Sequence, residues 1–100
     1  MFYIYILYSQ SSDIYYVGYT ADFLKRFFEH NNLDKNTFTS KHRPWELRAV
    51  FECGHDESDA INIERFIKKQ KSRILIEKII GGVALTGILA QLVRVPHVRD

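Results

Sequence analysis

The sequence predicts an α+β fold in which a small antiparallel sheet is covered by helices. Two β-branched and aromatic runs near the start are joined by the polar turn "SQSSD", and such a pair is typical of a β-hairpin. One more run of this kind, "WELRAVFE", lies among three segments with helical character. The predicted element order is therefore β-β-α-β-α-α, and 100 residues are enough for one compact domain.

The first strand is predicted over residues 2–8, "FYIYILY", and the second over residues 14–19. Side-chain alternation places the isoleucines of the first strand on one face of the sheet and Tyr5 on the other. Gly18 interrupts the second strand, where glycine is destabilising. We expect this glycine to admit a substrate or a neighbouring backbone, or to bend the strand.

The first helix is predicted to begin after Thr20, a suitable N-cap, and to continue through "ADFLKRFFEHNN". The spacing of Leu24, Phe27 and Phe28 predicts that these three side chains form its buried face.

A polar loop that ends at Pro44 precedes the third strand. Asp56 or Ser58 can then cap a second helix that runs to about Gln70. The segment "SRILIEKII" predicts a third helix, which stops at the double glycine that follows it.

We expect residues 1–82 to form the domain and residues 83–100 to be a C-terminal tail. The tail has no clear helical period, and "LAQLVRVP" resembles the product of a reading frame that runs into a neighbouring tRNA gene. The alternative is a strand or helix that packs on the domain or on a second copy. The predicted core is Phe2, Ile4, Ile6, Val17, Leu24, Phe27, Phe28, Leu47, Val50, Phe51, Ile63, Ile67 and Leu75. None of these residues lies beyond Ile80, so we expect truncation after Gly82 to change stability little.

The composition argues against a membrane-spanning or a secreted protein. No apolar run approaches the roughly 18 residues of a membrane-spanning helix, and the N-terminus lacks the features of a signal peptide. Cys53 is the single cysteine, so no internal disulfide can form and a cytoplasmic location is the simplest expectation.

The net charge is only +2, but the basic residues are clustered along the chain. One cluster lies between Glu64 and Lys78 and another is "KHRPWELR". Such patches suit a phosphate backbone, although a solvated helix face is the alternative. The residues expected to contact nucleic acid are Lys25, Lys41, Arg43, Lys68, Lys69, Lys71 and Arg73.

Several dispersed residues form an ordered motif. The strands carry "YIY" and "YVG", the first helix carries an Arg-x-x-x-His pair, and a glutamate lies within the second helix. In chain order, the motif residues are Tyr5, Tyr16, Gly18, Arg26, His30 and Glu64. Together they resemble the GIY-YIG nuclease superfamily, in particular its small single-domain bacterial members, over about residues 2–80. The resemblance implies a three-stranded antiparallel sheet flanked by helices, and divalent-metal-dependent hydrolysis of phosphodiester bonds with Glu64 as the metal ligand.

Two positions depart from the family pattern. Tyr3 stands where the family name has glycine. Tyr19 stands where some members carry a lysine near the scissile phosphate, so one positive charge is missing, and Lys25 is a candidate replacement.

The chemistry of phosphodiester hydrolysis accounts for these residue types. Glu64 offers oxygen ligands for Mg²⁺ or Mn²⁺, and Mg²⁺ commonly completes its shell with water and substrate phosphate. Arg26 can bind a phosphate through its fork of donors. A tyrosine base needs assistance because its pKa is about 10, and the sequence leaves the choice among Tyr5, Tyr16 and His30 open.

Each residue also has a purely structural interpretation. Tyr5 and Tyr16 could be half-buried strand residues, Arg26 could pair with Glu29 or Asp22, and His30 could be a charged cap at a helix C-terminus. The ordered set favours the enzyme. We therefore predict an endonuclease for branched, damaged or single-stranded DNA, with a role in repair or recombination and with any sequence specificity supplied by a protein partner. The alternative is a nucleic-acid-binding module that has kept the scaffold and lost turnover.

Overall fold

A computed structural model describes residues 1–34 and 36–96, which form one antiparallel sheet, three α-helices and two short 3-10 helices. The strands are β1 (Phe2–Ser9), β2 (Ile14–Thr20), β3 (Trp45–Gly54) and β4 (Val93–Arg94). The α-helices are α1 (Phe23–Asn32), α2 (Glu57–Gln70) and α3 (Arg73–Ile80). The 3-10 helices span Thr39–His42 and Gly87–Gln91. None of the helices in these ranges is both long and apolar enough to cross a membrane.

The α+β class is confirmed, but the predicted strand count is too low by one. The strand order across the sheet is β2-β1-β3-β4, which makes β2 an edge strand. The additional strand, β4, pairs with β3 through Phe51 opposite Arg94 and Glu52 opposite Val93. A strand of two residues is too short to show alternation in the sequence, so pattern analysis could not detect it.

The buried face of α1 differs from the predicted one. Leu24 and Phe28 were expected in the core, but their side chains are 64% and 65% exposed. Phe23, Phe27 and His30 face the sheet instead. Spacings of four and three residues fit this set as well as the predicted one, so periodicity alone did not determine how the helix is rotated.

The N-cap of α1 is also different from the prediction. The Asp22 carboxylate accepts a hydrogen bond from the Lys25 backbone N–H at 3.1 Å. Thr20 instead accepts from the Asp22 N–H, also at 3.1 Å, and so orders the turn before the helix. The prediction for α2 is confirmed, since Asp56 caps it and it ends at Gln70.

The two faces of the sheet bury different side chains. Helices α2 and α3 cover an apolar face that includes Ile4, Ile6, Val17, Phe51, Ile63, Ile67 and Ile79. Helix α1 covers the opposite face, whose buried residues are Tyr5, Leu7, Trp45 and Val50. The alternation predicted for β1 is therefore confirmed.

Residues beyond Ile80 contribute to the core, which contradicts the expectation from the sequence. Leu89 and Leu92 are buried in the apolar cluster under α2 and α3. The Gln91 amide donates to the Cys53 carbonyl at 2.8 Å, and the Arg94 guanidinium donates to the Ile80 carbonyl at 2.7 Å. The tail was misjudged because a 3-10 turn places its leucines on the domain without the regular spacing of a helix or strand.

Candidate active site

The glycine in β2 makes room for a tyrosine ring. Tyr5 and Gly18 lie directly opposite each other in the β1–β2 ladder. A Cβ atom built on Gly18 would lie 2.5 Å from the Tyr5 Cζ atom and closer still to the hydroxyl oxygen. The group that approaches Gly18 in the structure is therefore the phenol of Tyr5, which was not among the sequence-based expectations of a substrate, a neighbouring backbone or a bend in the strand.

Tyr5 and His30 form a buried hydrogen-bonded pair. The Tyr5 hydroxyl lies 2.8 Å from His30 Nε2, and the two residues are only 1% and 2% exposed. Burial raises the pKa of Tyr5 well above its usual range. Burial, assisted by the positive charge of Arg26, lowers the pKa of His30 to about 4. Both groups are thus neutral near pH 7, so His30 is not the charged helix cap considered above.

Tyr16 is held by aromatic neighbours on the same side of the sheet. Its ring makes an edge contact with His30, with the centroids 5.0 Å apart, and lies 6.1 Å from the Trp45 ring. The Phe38 ring is nearly parallel to it, at 6.4 Å. Tyr16 is only half-buried, so it combines a fixed orientation with access to solvent.

Two clefts meet at Tyr16 and Phe38. The α1 cleft has a volume of about 260 Å³, and its further lining includes Arg26, Glu29, His30, Thr39 and Arg43. The α2 cleft has a volume of about 390 Å³, and its further lining includes Ile14, Val17, Ile67, Lys68, Lys71 and Ile76. A group bound at Tyr16 therefore has a cleft on either side.

Arg26 lines the α1 cleft and forms the ion pair that the structural interpretation anticipated. Its guanidinium lies 3.2 Å from the Glu29 carboxylate, and both side chains are partly exposed. Pairs of this kind contribute only about 0.2–1 kcal/mol, so a phosphate could compete for the arginine at small cost. The guanidinium is also near enough to Tyr5 to oppose the rise in the pKa of that residue.

Glu64 projects from α2 towards the tyrosines at the edge strand. Its side chain is 19% exposed, and its carboxylate lies 3.4 Å from the Lys68 ammonium group. The same ammonium group lies 5.0 Å from the centroid of the Tyr16 ring, so Lys68 links Glu64 to the site tyrosines. Glu64 thus belongs to the same cluster as the residues on β1, β2 and α1.

Lys68 supplies a positive charge beside Tyr16. Its ammonium group lies over the Tyr16 ring, 5.0 Å from the centroid. Tyr19, which occupies the position of the missing family lysine, donates its hydroxyl proton to Glu57 at 3.2 Å. The candidate replacement Lys25 is exposed on α1. The structure therefore places Lys68, and not Lys25, in contact with a site tyrosine.

The residues predicted to bind nucleic acid separate into three groups. Arg43, which lines the α1 cleft, and Arg73, which lines the α2 cleft, are bound to other parts of the fold. Arg43 donates to the carbonyls of His30 and Leu33, both at 2.6 Å, and Arg73 pairs with Asp13 at 2.7 Å. Lys68 and Lys71 line the α2 cleft. The remaining three, Lys25, Lys41 and Lys69, are exposed on the surface.

The donor set fits a metal ion that needs few protein ligands. Within residues 1–34 and 36–96, no group of three or more His, Cys, Asp or Glu side chains could enclose a cation. Glu64 offers one partly exposed carboxylate beside the clefts. This fits Mg²⁺ or Mn²⁺ bound by one carboxylate, water and substrate oxygens, and does not fit an all-protein cage.

Two residues of the site were missed in the sequence. Phe38 lines both clefts, but it lies in a polar loop, where a single aromatic residue gives no periodic signal. Asn31 fixes the end of α1 to β3, since its amide donates to the Trp45 carbonyl at 3.0 Å and accepts from the Trp45 N–H at 2.7 Å. Asparagine near a helix end was the available signal.

Comparison with known proteins agrees with this arrangement. The GIY-YIG catalytic domain model matches residues 1–78, so the chain belongs to the GIY-YIG family. This family consists of endonucleases that act on DNA, and the domain implies nuclease activity. The chain is also similar to UPF0213 protein FN1575 of Fusobacterium nucleatum, with 32% identity over 78 residues. That alignment covers 74% of this chain and 76% of the relative, whose name states no activity.

Proposed function

We propose that this protein is a divalent-metal-dependent endonuclease that hydrolyses phosphodiester bonds in DNA and selects its substrates by structure. One observation carries the proposal: five predicted site side chains from β1, β2, α1 and α2 lie around the junction of the two clefts, with Glu64 linked to Tyr16 through Lys68. These side chains are Tyr5, Tyr16, Arg26, His30 and Glu64. They include a group that can accept the proton of the attacking water, a guanidinium group that can donate hydrogen bonds to the phosphate, and a carboxylate that can hold a metal cation.

Tyr16 is the best candidate for the group that activates the water nucleophile. A general base must come within hydrogen-bonding distance of the proton that it removes. Tyr5 and His30 are almost fully buried and bonded to each other, although His30 lines the α1 cleft, whereas Tyr16 is only half-buried and lines both clefts. The Lys68 ammonium group lies 5.0 Å from the centroid of the Tyr16 ring, so a positive charge stands beside the candidate base. Tyr5 and His30 then act as positioning residues that hold the ring of Tyr16.

Arg26 is the candidate phosphate ligand. It lines the α1 cleft beside Tyr16 and can exchange its contact with Glu29 for the charge that builds up on phosphorus. Its fork of donors suits the oxygens of a phosphate better than a single ammonium group does.

Glu64 is the residue that would hold the metal ion. When bound, Mg²⁺ or Mn²⁺ supplies Lewis-acid stabilisation of the phosphate oxygens and of the leaving group. Glu64 is paired with Lys68 at 3.4 Å through one of its two oxygens, and a carboxylate can accept a cation beside such a contact.

The described residues beyond the family match pack on the same domain through Leu89, Leu92 and β4, and do not form a second one. We propose branched, damaged or single-stranded DNA as substrates, repair or recombination as the process, and a protein partner as the source of any sequence specificity. The cytoplasmic location remains a prediction.

The test is cleavage of branched, nicked, single-stranded and linear duplex DNA with Mg²⁺, Mn²⁺ or EDTA. Glu64→Gln should abolish cleavage while leaving DNA binding and the melting curve near normal, because it removes the charge and keeps the shape. Glu57→Gln, on the same helix but outside both clefts, should cleave like the unmodified protein. Cleavage by Glu64→Gln at the normal rate would remove this residue from the mechanism. Binding without cleavage by the unmodified protein would support the alternative, a binding module without turnover.

A further inference from the structure

We propose that the α2 cleft binds an unpaired nucleobase adjacent to the scissile phosphate. The inference rests on the proposed nuclease function and deepens it, because it names the class of substrate: a strand whose nucleotide beside the cleavage site is not base-paired. Tyr16, Phe38, Lys68 and Lys71 are the residues that recognise it.

The position of the cleft is the first argument. The α2 cleft and the α1 cleft share Tyr16 and Phe38 as a common wall. Arg26 and His30 belong to the α1 cleft, on which the phosphate chemistry centres. A phosphate held between Arg26 and Tyr16 therefore leaves the adjoining nucleotide of the same strand next to the α2 cleft.

The lining of the α2 cleft is the second argument. Its lining includes the aliphatic side chains of Ile14, Val17 and Ile67 and the exposed lysines Lys68 and Lys71. Asp13 and Arg73 also line it, but they neutralise each other in an ion pair at 2.7 Å. An apolar interior beside cationic side chains complements a nucleotide, whose base is planar and weakly polar on its faces and whose phosphate is an anion. Sites that bind single strands without sequence preference combine these same two elements.

The exposed ring of Phe38 is the third argument. Phe38 is 54% exposed, although it lies next to the His42 ring at 4.7 Å and almost parallel to the Tyr16 ring at 6.4 Å. An aromatic side chain left open at the mouth of a cleft is a surface on which a base can stack. A base enters such a cleft only when it is unpaired or turned out of the duplex, so the cleft would favour single strands, flaps and mismatched sites.

The binding test separates the base from the phosphate. A fluorescein-labelled oligothymidine and an oligonucleotide of equal length with consecutive abasic sites carry the same backbone charge. Anisotropy in EDTA, where cleavage is not expected, gives the affinity for each. We expect the unmodified protein to bind oligothymidine about tenfold more tightly, since base stacking on aromatic side chains has effects of this order.

Two phenylalanine variants form a matched pair. Phe38→Ala should bring the affinity ratio close to one, whereas Phe28→Ala, at an exposed phenylalanine of α1 outside both clefts, should keep the tenfold ratio. A ratio near one in the unmodified protein, or a tenfold ratio that survives in Phe38→Ala, would overturn the inference.

Lys71 provides an independent measurement. It has φ 48°, a left-handed conformation that asparagine also tolerates, so Lys71→Asn removes the charge without new strain. The variant should weaken both oligonucleotides alike and reduce the slope of log affinity against log salt by about 0.7, the value for one phosphate of a single strand. An unchanged slope would exclude Lys71 from the site and contradict the assignment of this edge to the phosphate.

Cleavage distinguishes the two proposals. If the protein cuts DNA but shows no preference for bases over abasic sites, the nuclease proposal stands and the base-binding inference fails. If no cleavage occurs with any metal but Phe38 still determines the ratio, the inference stands as a property of a binding module and the nuclease proposal fails.

Discussion

The two faces of the sheet differ in what they bury. The face under α2 and α3 buries apolar side chains, such as Ile4, Ile63 and Leu89, which pack without polar partners. The face under α1 also buries polar groups, which are hydrogen-bonded. Tyr5 pairs with His30, and the Trp45 indole donates to the Thr39 carbonyl at 2.8 Å.

This difference means that one face mainly stabilises the fold and the other mainly positions the candidate site. Apolar burial contributes to stability in proportion to area, while buried polar groups must be fully hydrogen-bonded merely to offset their loss of hydration. The polar arrangement under α1 gives little net stability but holds the Tyr16 ring in a fixed orientation. We therefore expect substitutions on the apolar face to affect folding, and substitutions on the α1 face to affect activity and pH dependence as well.

The largest effect should come from removing the tail on the apolar face. Truncation after Gly82 takes away Leu89 and Leu92, and burial of one such side chain contributes roughly 1.5–3 kcal/mol. A loss of about 3–6 kcal/mol would leave this small domain barely folded. Chemical denaturation measures it. Leu89→Ala should be clearly destabilising and Ile88→Ala, at an exposed neighbour, should not; equal values for the pair would show that the tail does not pack.

The next effect concerns pH and belongs to the α1 face. The pKa of His30 falls from 6.5 to about 4 on folding. Between these values the unfolded chain binds a proton that the folded protein does not. The contribution of His30 to the free energy of unfolding is therefore fully present above pH 6.5 and decreases as the pH falls towards 4. The full decrease is about 3 kcal/mol, since one pKa unit corresponds to about 1.4 kcal/mol.

Urea unfolding at pH 7.5 and 4.5 measures this decrease. His30→Gln can still hydrogen-bond with Tyr5 but does not titrate, so it should remove most of the difference between the two pH values. His55→Gln, at an exposed histidine, is the control for the substitution itself. Carboxylates whose pKa values are lowered, such as Asp13 and Asp56, lose their contribution only at lower pH. A pH dependence that His30→Gln leaves intact would place its origin elsewhere.

A smaller but more specific effect is expected at Gly18. Gly18→Ala forces the Tyr5 ring to move, because the new Cβ atom would overlap it. Overpacking of this kind typically costs about 1–3 kcal/mol, and the displaced hydroxyl would lose His30 and disturb Tyr16. Thermal melting and the cleavage assay should both show a loss. Adding Tyr5→Leu should recover stability but not activity; independent effects of the two substitutions would show that the contact is unimportant.

The smallest effect should be at the exposed face of α1. Phe28→Ser should change the free energy of unfolding by less than about 0.5 kcal/mol, as is usual for exposed positions. Phe27→Ser, one residue away and packed against the sheet, should be clearly more destabilising. Urea denaturation of the two variants gives the comparison. Similar losses in the free energy of unfolding for both variants would support the buried face that was predicted from the sequence.

Local pattern was enough to predict much of the fold. Alternation in β1 assigned Ile4 and Tyr5 to opposite faces, and the capping signal at Asp56 located the start of α2. These features depend on neighbours in the chain, and the spacing of side chains along a strand or a helix is fixed by its geometry. The family followed from the order of residues such as Tyr16, Arg26 and Glu64, because their positions in the chain identify the motif.

Tertiary structure decided which of these residues contact one another. Periodicity could not fix the rotation of α1, which buried Phe23 instead of Leu24. Charge could not distinguish Arg73, held by Asp13, from Lys68, which lies over Tyr16. Gly18 was recognisable as unusual, but the ring that requires it comes from another strand. Such facts depend on groups distant in the chain, whose contacts exist only once the sheet and its helices have packed.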